Sequence, residues 1–120
     1  MQLTLSALST ALALTISLAG GVAAGYGDSC HDEYVVSGVL HGECFDRGGG
    51  RVQTQLDLNK CVGFANGQLA CDGHGGFADS CDPKTCYLGG TSLFCRCGEG
   101  FISYLDLGRC IQNNDGQLGC

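Results

Sequence analysis

The chain contains one sequence module twice. Residues 56–71 read LDLNKCVGFANGQLAC and residues 105–120 read LDLGRCIQNNDGQLGC, so eight of the sixteen positions are identical at an offset of 49. A second pair of segments agrees, because GYGDSC at 25–30 recurs as GFADSC at 76–81. Self-similarity at such a period constrains the architecture more than any other signal in the chain. We therefore expect two copies of one structural unit.

The N-terminal segment differs from the rest of the chain. The first 24 residues contain no Lys, Arg, Asp or Glu and form a run of Leu, Ala, Ile and Thr that ends in small residues. This pattern predicts a secretory signal peptide, residues 1–24, cleaved after Ala24, because the run is too short for a comfortable transmembrane span. No second apolar stretch follows, so we expect a secreted, extracellular protein without membrane insertion. The mature part is then a single domain, residues 25–120, made of repeat 1 at about 26–75 and repeat 2 at about 76–120.

Cysteine content and charge narrow the class of protein. All ten cysteines lie in the predicted mature part, which at this length predicts a disulfide scaffold in an oxidising compartment. Twelve acidic and six basic residues give a net charge of −6, and the basic residues are scattered along the chain. A nucleic acid or an anionic membrane is therefore not an expected partner.

The mature sequence predicts an all-β domain. It shows almost no sustained helical periodicity and many short apolar alternations, broken by glycine-rich turns at 48–50, 73–76 and 89–90. The strand candidates are Val35-Val36 with Val39-Leu40, Val52 to Leu58, Leu88 to Phe94, and Phe101 to Leu107.

Each repeat ends in a predicted β-hairpin. The loops are expected to be Ala65-Asn66-Gly67 and Asn114-Asp115-Gly116, since a three-residue loop with Gly in the left-handed position is a favoured hairpin geometry. Counting outward from such loops places cysteines opposite each other as candidate cross-strand disulfides, although spacing alone leaves other connectivities open. The pairs so predicted are Cys61 with Cys71, Cys110 with Cys120, and Cys86 with Cys95 across the Gly89-Gly90 turn.

Both repeats also share an order of motifs: a Cys, a strand with Gly, a short segment ending in Cys, a loop, and a hairpin with N-x-[ND]-G-x-L or a close variant. Repeat 1 supplies Cys30, GVLHGEC at 38–44, LDLN at 56–59 and NGQL at 66–69; repeat 2 supplies Cys81, GG at 89–90, LFCRC at 93–97, LDL at 105–107 and NNDGQL at 113–118. This doubled order resembles the cyanovirin-N homologue (CVNH) family of carbohydrate-binding proteins, of the secreted fungal type. The resemblance covers essentially all of residues 26–120.

The resemblance implies a pseudo-symmetric tandem-repeat fold. Two three-stranded sheets are expected, with the β-hairpin of each half exchanged so that it packs on the sheet of the other half. The disulfides it implies are Cys30 with Cys44 and Cys81 with Cys97, which leaves six cysteines as additions to the family pattern.

The resemblance further implies two sugar pockets, each built from both repeats, that bind mannose-type glycans without catalysis. The second half is four residues shorter from Cys97 to Leu107 than the first is from Cys44 to Leu58, so we expect the first pocket to be the better one. The first pocket would use Asp28, Ser29, Phe45, Asp46, Arg47, Gln112, Asn113, Asn114 and Asp115. The second pocket would use Gly63, Phe64 and Asn66 with Asp79, Ser80, Glu99 and Gly100.

The residue types agree with sugar binding, because each sugar hydroxyl stripped of water needs a fixed polar partner. In loops, however, Asn, Asp and Gly are usually plain turn formers. The expected partners are high-mannose oligosaccharides or glycoproteins, bound by a monomer or a domain-swapped dimer. Two alternatives remain: a cysteine-stabilised interaction or effector protein on this scaffold without sugar binding, and an epidermal-growth-factor-like module. The second rests on C-x-C-x-x-G-F at 95–101 followed by Cys110, and it explains only repeat 2.

Other chemistry is not predicted. His31, His41 and His74 share no short spacing, so we expect no metal and no cofactor. No paired carboxylates or activated nucleophile indicate an enzyme. The tyrosines at 26, 34, 87 and 104 could stack on sugar rings, but at strand spacing aromatic residues more often serve packing.

Overall fold

A computed structural model describes residues 25–120. The predicted signal peptide, residues 1–24, lies outside the described residues. The strands are β1 (Cys30–Val36), β2 (Val39–Phe45), β3 (Arg51–Asp57), β4 (Val62–Ala65), β5 (Gln68–Cys71), β6 (Cys81–Gly89), β7 (Ser92–Cys97), β8 (Phe101–Asp106), β9 (Gln112–Asn114) and β10 (Gln117–Gly119). Single-turn 3₁₀ helices lie at Tyr26–Asp28, Leu58–Lys60, Phe77–Asp79 and Leu107–Arg109. Within residues 25–120 no helix is long and apolar enough to cross a membrane.

The strands form two antiparallel three-stranded sheets, β1-β2-β3 and β6-β7-β8, and two separate hairpins, β4-β5 and β9-β10. Each hairpin packs on the outer strand of the other repeat's sheet, β5 on β8 and β10 on β3. The backbone N–H of Leu69 donates to Ser103 Oγ at 2.9 Å, and that of Leu118 donates to Thr54 Oγ1 at 3.1 Å, so the same bond secures both hairpins. The predicted pseudo-symmetric all-β fold with exchanged hairpins is confirmed.

The repeated Leu-Asp-Leu motif explains how each sheet leads into its hairpin. In repeat 1 the Asp57 carboxylate accepts the N–H of Asn59 at 3.0 Å and so caps a 3₁₀ turn, while Leu58 is fully buried. In repeat 2 the Asp106 carboxylate accepts the N–H of Gly108 at 2.9 Å, and Leu107 is fully buried. Each fully buried leucine contributes about 2 kcal/mol. The motif therefore both ends a strand and anchors the turn in the core.

The hairpin loops are one residue shorter than predicted. Ala65 pairs with Gln68 and Asn114 pairs with Gln117, which leaves two-residue loops. Both central residues have positive φ, 54° and 79° for Asn66-Gly67 and 54° and 92° for Asp115-Gly116. This is the type I′ geometry, whose twist matches that of the flanking strands and which favours Asn-Gly and Asp-Gly.

The shorter loops change the disulfide pattern. Cys71 lies opposite Val62 instead of Cys61, so the predicted pairs Cys61–Cys71 and Cys110–Cys120 are wrong. The bridges are Cys61–Cys120 and Cys71–Cys110, and each joins the hairpin of one repeat to the hairpin of the other. The predicted bridges that are confirmed are Cys30–Cys44, Cys81–Cys97 and Cys86–Cys95.

One predicted strand is in fact two. Gly89 pairs with Ser92, so a tight turn at Gly90-Thr91 divides the segment from Leu88 to Phe94 between β6 and β7. The other strand candidates lie within or across the ends of β1, β2, β3 and β8.

Candidate functional site

The first pocket is held together by the side chain of Asn113. Its Nδ2 donates to Ser29 Oγ and to the Phe45 carbonyl, both at 2.9 Å, and its Oδ1 accepts the N–H of Gly116 at 2.7 Å. Both hydrogens of the amide are therefore used. Asn113, predicted as a sugar contact, thus ties the β9-β10 turn to the start of β1 and the end of β2.

Two carboxylates fix the loop that follows β2. The Asp46 Oδ1 accepts the N–H of Gly50 at 2.8 Å, and the backbone of the same two residues closes the loop at 2.8 Å. The Asp115 Oδ1 accepts the N–H of Arg47 at 2.8 Å and so connects this loop to the far hairpin. Within residues 25–120 the Oδ2 of each carboxylate has no hydrogen-bond partner, so each side chain keeps a second acceptor while the bond to its Oδ1 holds it in place.

The chemistry of the first pocket follows from these bonds. Ser29 Oγ already accepts from Asn113, which leaves its own hydrogen to donate outward. Together with the free oxygens of Asp46 and Asp115, the pocket offers one donor and two acceptors on a preformed frame. The Arg47 side chain is exposed at its edge. Groups ordered before binding lose little entropy on contact with a ligand, and closely spaced donors and acceptors of this kind suit adjacent hydroxyls.

Three predicted residues of the first pocket are not joined to this network. Asp28 ends the first 3₁₀ turn, and Gln112 and Asn114 flank Asn113 on β9; all three side chains are exposed. Within residues 25–120 none of them makes a hydrogen bond to the network. The structure therefore brings together Ser29, Asp46, Arg47, Asn113 and Asp115 with the backbone carbonyl of Phe45. The ring of Phe45 lies against His31, with centroids 5.3 Å apart, and beneath Arg51.

The second pocket lacks such a frame. The N–H of Gly98 donates to the Ser80 carbonyl at 3.0 Å, as that of Phe45 does to Ser29. Beyond this, no hydrogen bond among residues 25–120 connects Asn66, Asp79 or Glu99 to one another. The loop shortened by four residues has no counterpart of the turn from Asp46 to Gly50.

The core-facing residues of the second pocket offer no polar side chain. A Cβ on Gly63 would lie 2.9 Å from Asp72, so this position is closed by packing, and Phe64 packs on the core. Gly67, the counterpart of Gly116, has no atom within 4 Å of where a Cβ would stand. The hairpin tip of repeat 1 thus stands away from the opposite sheet, and the second pocket is open.

One group near the first pocket was not visible in the sequence. His31, Asp32 and Glu43 place possible metal-ligating atoms within 4.8 Å of one another, because His31 lies opposite Glu43 in the β1-β2 register. The Glu43 carboxylate is already bound by His31 Nε2 at 2.9 Å and Gln53 Nε2 at 3.2 Å, and Arg51 lies 3.7 Å away. These contacts, with a cation among them, describe an ion-pair network on the outer face of the sheet. Only strand pairing could have revealed it.

This chain is similar to known proteins of one family. The family model of the CVNH domain matches residues 26–119. A cyanovirin-N homolog from Tuber borchii is 35% identical over 100 residues, covering 78% of this chain and 95% of that protein.

Solved structures show the same fold. That of the Tuber borchii homolog superposes with a TM-score of 0.65, covering 79% of this chain and 97% of its own. A designed cyanovirin-N homolog lectin, 25% identical, gives 0.67 over 79% and 97% of the two chains. A CVNH variant solved in complex with (N-GlcNAc)4 is 21% identical and gives 0.70 over 83% and 99%. The family match over residues 26–119 and the 35% identity to a homolog show that this chain belongs to the CVNH family of carbohydrate-binding lectins.

Proposed function

We propose that this chain is a lectin that binds mannose-type glycans through the first pocket, without catalysis. The observation that carries the proposal is the bonded frame of Asn113 and Asp115, which fixes the Ser29 hydroxyl and two carboxylate oxygens at one edge. A structure of microvirin, 24% identical with a TM-score of 0.58, is a complex with mannobiose, which makes mannobiose a suitable probe. The proposal itself rests on the pocket of this chain.

The charge on the pocket favours neutral ligands. A carboxylate accepts hydrogen bonds from hydroxyls more strongly than a neutral acceptor does, since one partner is ionised. The same carboxylates, in a chain of net charge −6, repel anionic sugars. A neutral sugar with neighbouring hydroxyls therefore fits the donor and acceptors better than an acidic one.

The decisive variant is Asp115→Asn. An Asn keeps an oxygen for the N–H of Arg47 but turns the outward Oδ2 into an amide, so only the acceptor facing the ligand is lost. The fold is expected to accept it, because the matching position of repeat 1 is Asn66 in the same turn geometry. We expect mannobiose affinity in isothermal titration calorimetry to fall about tenfold or more, the cost of losing a charge-assisted hydrogen bond of about 1.5–3 kcal/mol.

The matched control is Asn66→Asp, which makes the reciprocal change at the open hairpin tip. It should leave mannobiose binding unchanged. Full affinity in Asp115→Asn would contradict the assignment of the pocket. A folded, oxidised residue 25–120 protein that binds no sugar on a glycan array would reject sugar binding as a whole, and a protein partner would then be the function to seek.

Secretion is part of the same proposal. It is supported by the apolar, uncharged segment 1–24 and by the use of all ten cysteines in bridges, which persist in oxidising compartments. Expression of the full chain in a secreting eukaryotic host should yield protein in the medium with Gly25 as its first residue by N-terminal sequencing. Uncleaved protein retained in the cytosol with free thiols would contradict it.

A further inference from the structure

A cleft runs along β8 outside both predicted pockets. It has a volume of about 470 Å³ and lies between the tip of the β4-β5 hairpin and the length of β8. Its lining comprises residues 67–69, residues 101–106 and Arg109, and includes none of the residues predicted for either sugar pocket. We call it the β8 cleft. At one end of the cleft the hairpin tip is open, since no atom lies within 4 Å of where a Cβ on Gly67 would stand.

One wall of the β8 cleft is aromatic. Tyr104 is 68% exposed, and the Phe94 ring stacks on it with centroids 5.8 Å apart. Phe94 stacks in turn on Tyr87 at 5.2 Å, which gives a row of rings across the three strands. Tyr104 is the last ring of this row and lines the cleft, so the ring face turned away from Phe94 is left exposed. Ile102, two residues along the same strand, is 51% exposed.

Repeat 1 shows that the fold does not need these side chains. In the β2-β3 pairing, Gln55 and Gln53 hold the places that Tyr104 and Ile102 hold in the β7-β8 pairing. The corresponding cleft beside β3 is smaller, about 300 Å³, and is lined by His41, Gln53, Thr54, Gln55 and Gln117. The same two strand positions thus carry glutamine side chains in repeat 1 and a tyrosine and an isoleucine in repeat 2. The exposed Tyr104 and Ile102 side chains are therefore not required by the backbone fold.

The rim of the β8 cleft is polar. Asp106 Oδ1 accepts from Gly108 and from Thr91 Oγ1 at 3.1 Å, while its Oδ2 has no partner among residues 25–120. Gln68 and Arg109 also line the cleft and are exposed. The cleft therefore combines an open ring face with an amide, a carboxylate oxygen and a guanidinium. A cleft with an apolar face beside polar side chains suits a ligand that has both an apolar face and polar groups.

We propose that the β8 cleft is a second carbohydrate site, for a β-1,4-linked glucosyl chain. In such a chain the hydroxyls are equatorial, so each ring presents a flat face of C–H groups and an edge of hydroxyls. The flat face packs on Tyr104 and Ile102, and the hydroxyl edge meets Gln68, Asp106 and Arg109. The axial hydroxyl of mannose roughens one such face, so the β8 cleft prefers glucosyl units. The proposal does not depend on mannose binding at the first pocket.

The test is titration of the folded protein with cellotetraose, followed by calorimetry and by two-dimensional NMR. We expect saturable binding with shifted amide signals on β8 and at residues 67–69. Tyr104→Gln copies the residue of repeat 1, so the fold is expected to accept it, and cellotetraose affinity should fall about tenfold. Asp115→Asn should leave cellotetraose binding intact, which separates failure of this site from failure of the first pocket.

The matched control is Tyr87→Gln, which removes a ring 51% exposed in the same row but outside the cleft. Cellotetraose affinity should change less than twofold. No binding of cellotetraose by the wild type, or equal losses in both variants, would overturn the proposal. So would sedimentation showing a dimer that Tyr104→Gln dissociates while sugar binding is absent, since the row would then be a contact between two copies of the chain.

Discussion

Replacing Gly116 by Ala tests whether the β9-β10 turn is packed as tightly as the first pocket requires. An added Cβ would stand 2.7 Å from Val52 Cγ2, 3.1 Å from Val52 Cβ and 3.4 Å from Asp46 Cβ. The matched change is Gly67→Ala in the hairpin of repeat 1, where no atom lies within 4 Å. Both glycines occupy the same place in a type I′ turn, with φ of 92° and 79°.

The two substitutions share one cost and differ in another. Each places a Cβ on a left-handed residue, at about 1–2 kcal/mol. Only Gly116→Ala also forces a methyl group into occupied space, which typically costs about 1–3 kcal/mol more. We therefore expect the free energy of unfolding to fall by about 1–2 kcal/mol for Gly67→Ala, and by about 1–3 kcal/mol more than that for Gly116→Ala.

The assay is urea denaturation with all disulfides intact, with mannobiose affinity measured in parallel. The overlap in Gly116→Ala should also move Asp115 away from Arg47, so binding should weaken in that variant alone. Equal losses of stability in the two variants, within about 0.5 kcal/mol, would show that the β9-β10 turn is not packed tightly on Val52 and would refute the reasoning.

Three further predictions concern the rest of the molecule. Replacing Cys71 and Cys110 together by Ala removes one bridge. With the other bridges intact, the shortest path between these two cysteines through the cross-linked chain is about 22 residues, so the free energy of unfolding should drop by about 3 kcal/mol; a loss below about 1 kcal/mol would contradict this. Tyr26→Phe should leave stability unchanged or raise it by about 1 kcal/mol, because the buried hydroxyl has no partner among residues 25–120; a clear loss in thermal denaturation would reveal one. The pKa of Asp72 should lie below 3.8 in an NMR titration, chiefly because its carboxylate accepts the backbone N–H of His74, and a value above 3.8 would refute this. The associated stability is present at pH above the unfolded-state pKa and is lost as pH falls through the folded-state value, and His74→Ala should keep most of the shift, since the backbone bond remains.

Much of the fold could be predicted because the same sequence module occurs in both halves of the chain. The two copies of Leu-Asp-Leu and of the Gly-Gln-Leu hairpin ending fall at one offset, and the structure gives them the same turn, burial and docking bond. Local signals of this kind can be predicted from the sequence because they depend on neighbouring residues. The strands and the exchange of hairpins follow from them together with the family resemblance.

The errors came from long-range geometry. Reading Ala65-Asn66-Gly67 as the loop was wrong by one residue, since Asn66 and Gly67 both take positive φ and Ala65 stays in the strand. Because the loop is one residue shorter than predicted, Cys71 lies opposite Val62 and not opposite Cys61. The true partner of Cys61, Cys120, is 59 residues away and is set by how two hairpins pack side by side.

The candidate site shows the same division. The motif residues Ser29, Asn113 and Asp115 do meet, as the resemblance implied. The sequence does not show which atoms remain free: both hydrogens of the Asn113 amide are used within the protein, whereas one oxygen of Asp46 and one of Asp115 have no hydrogen-bond partner among residues 25–120. That outcome depends on hydrogen bonds between segments far apart in the chain.

The two bridges between hairpins also bear on how chains of this type associate. Exchange of halves between two molecules about the segment 72–76 would place Cys61 and Cys120 of one site on different chains, and likewise Cys71 and Cys110. A monomer that has closed both bridges can exchange only by reducing them, whereas chains that pair before oxidation become a covalently linked dimer. Whether a chain forms its disulfides before or after it meets a second chain thus decides whether the product is a monomer or a covalent dimer. A non-reducing gel would separate these two products.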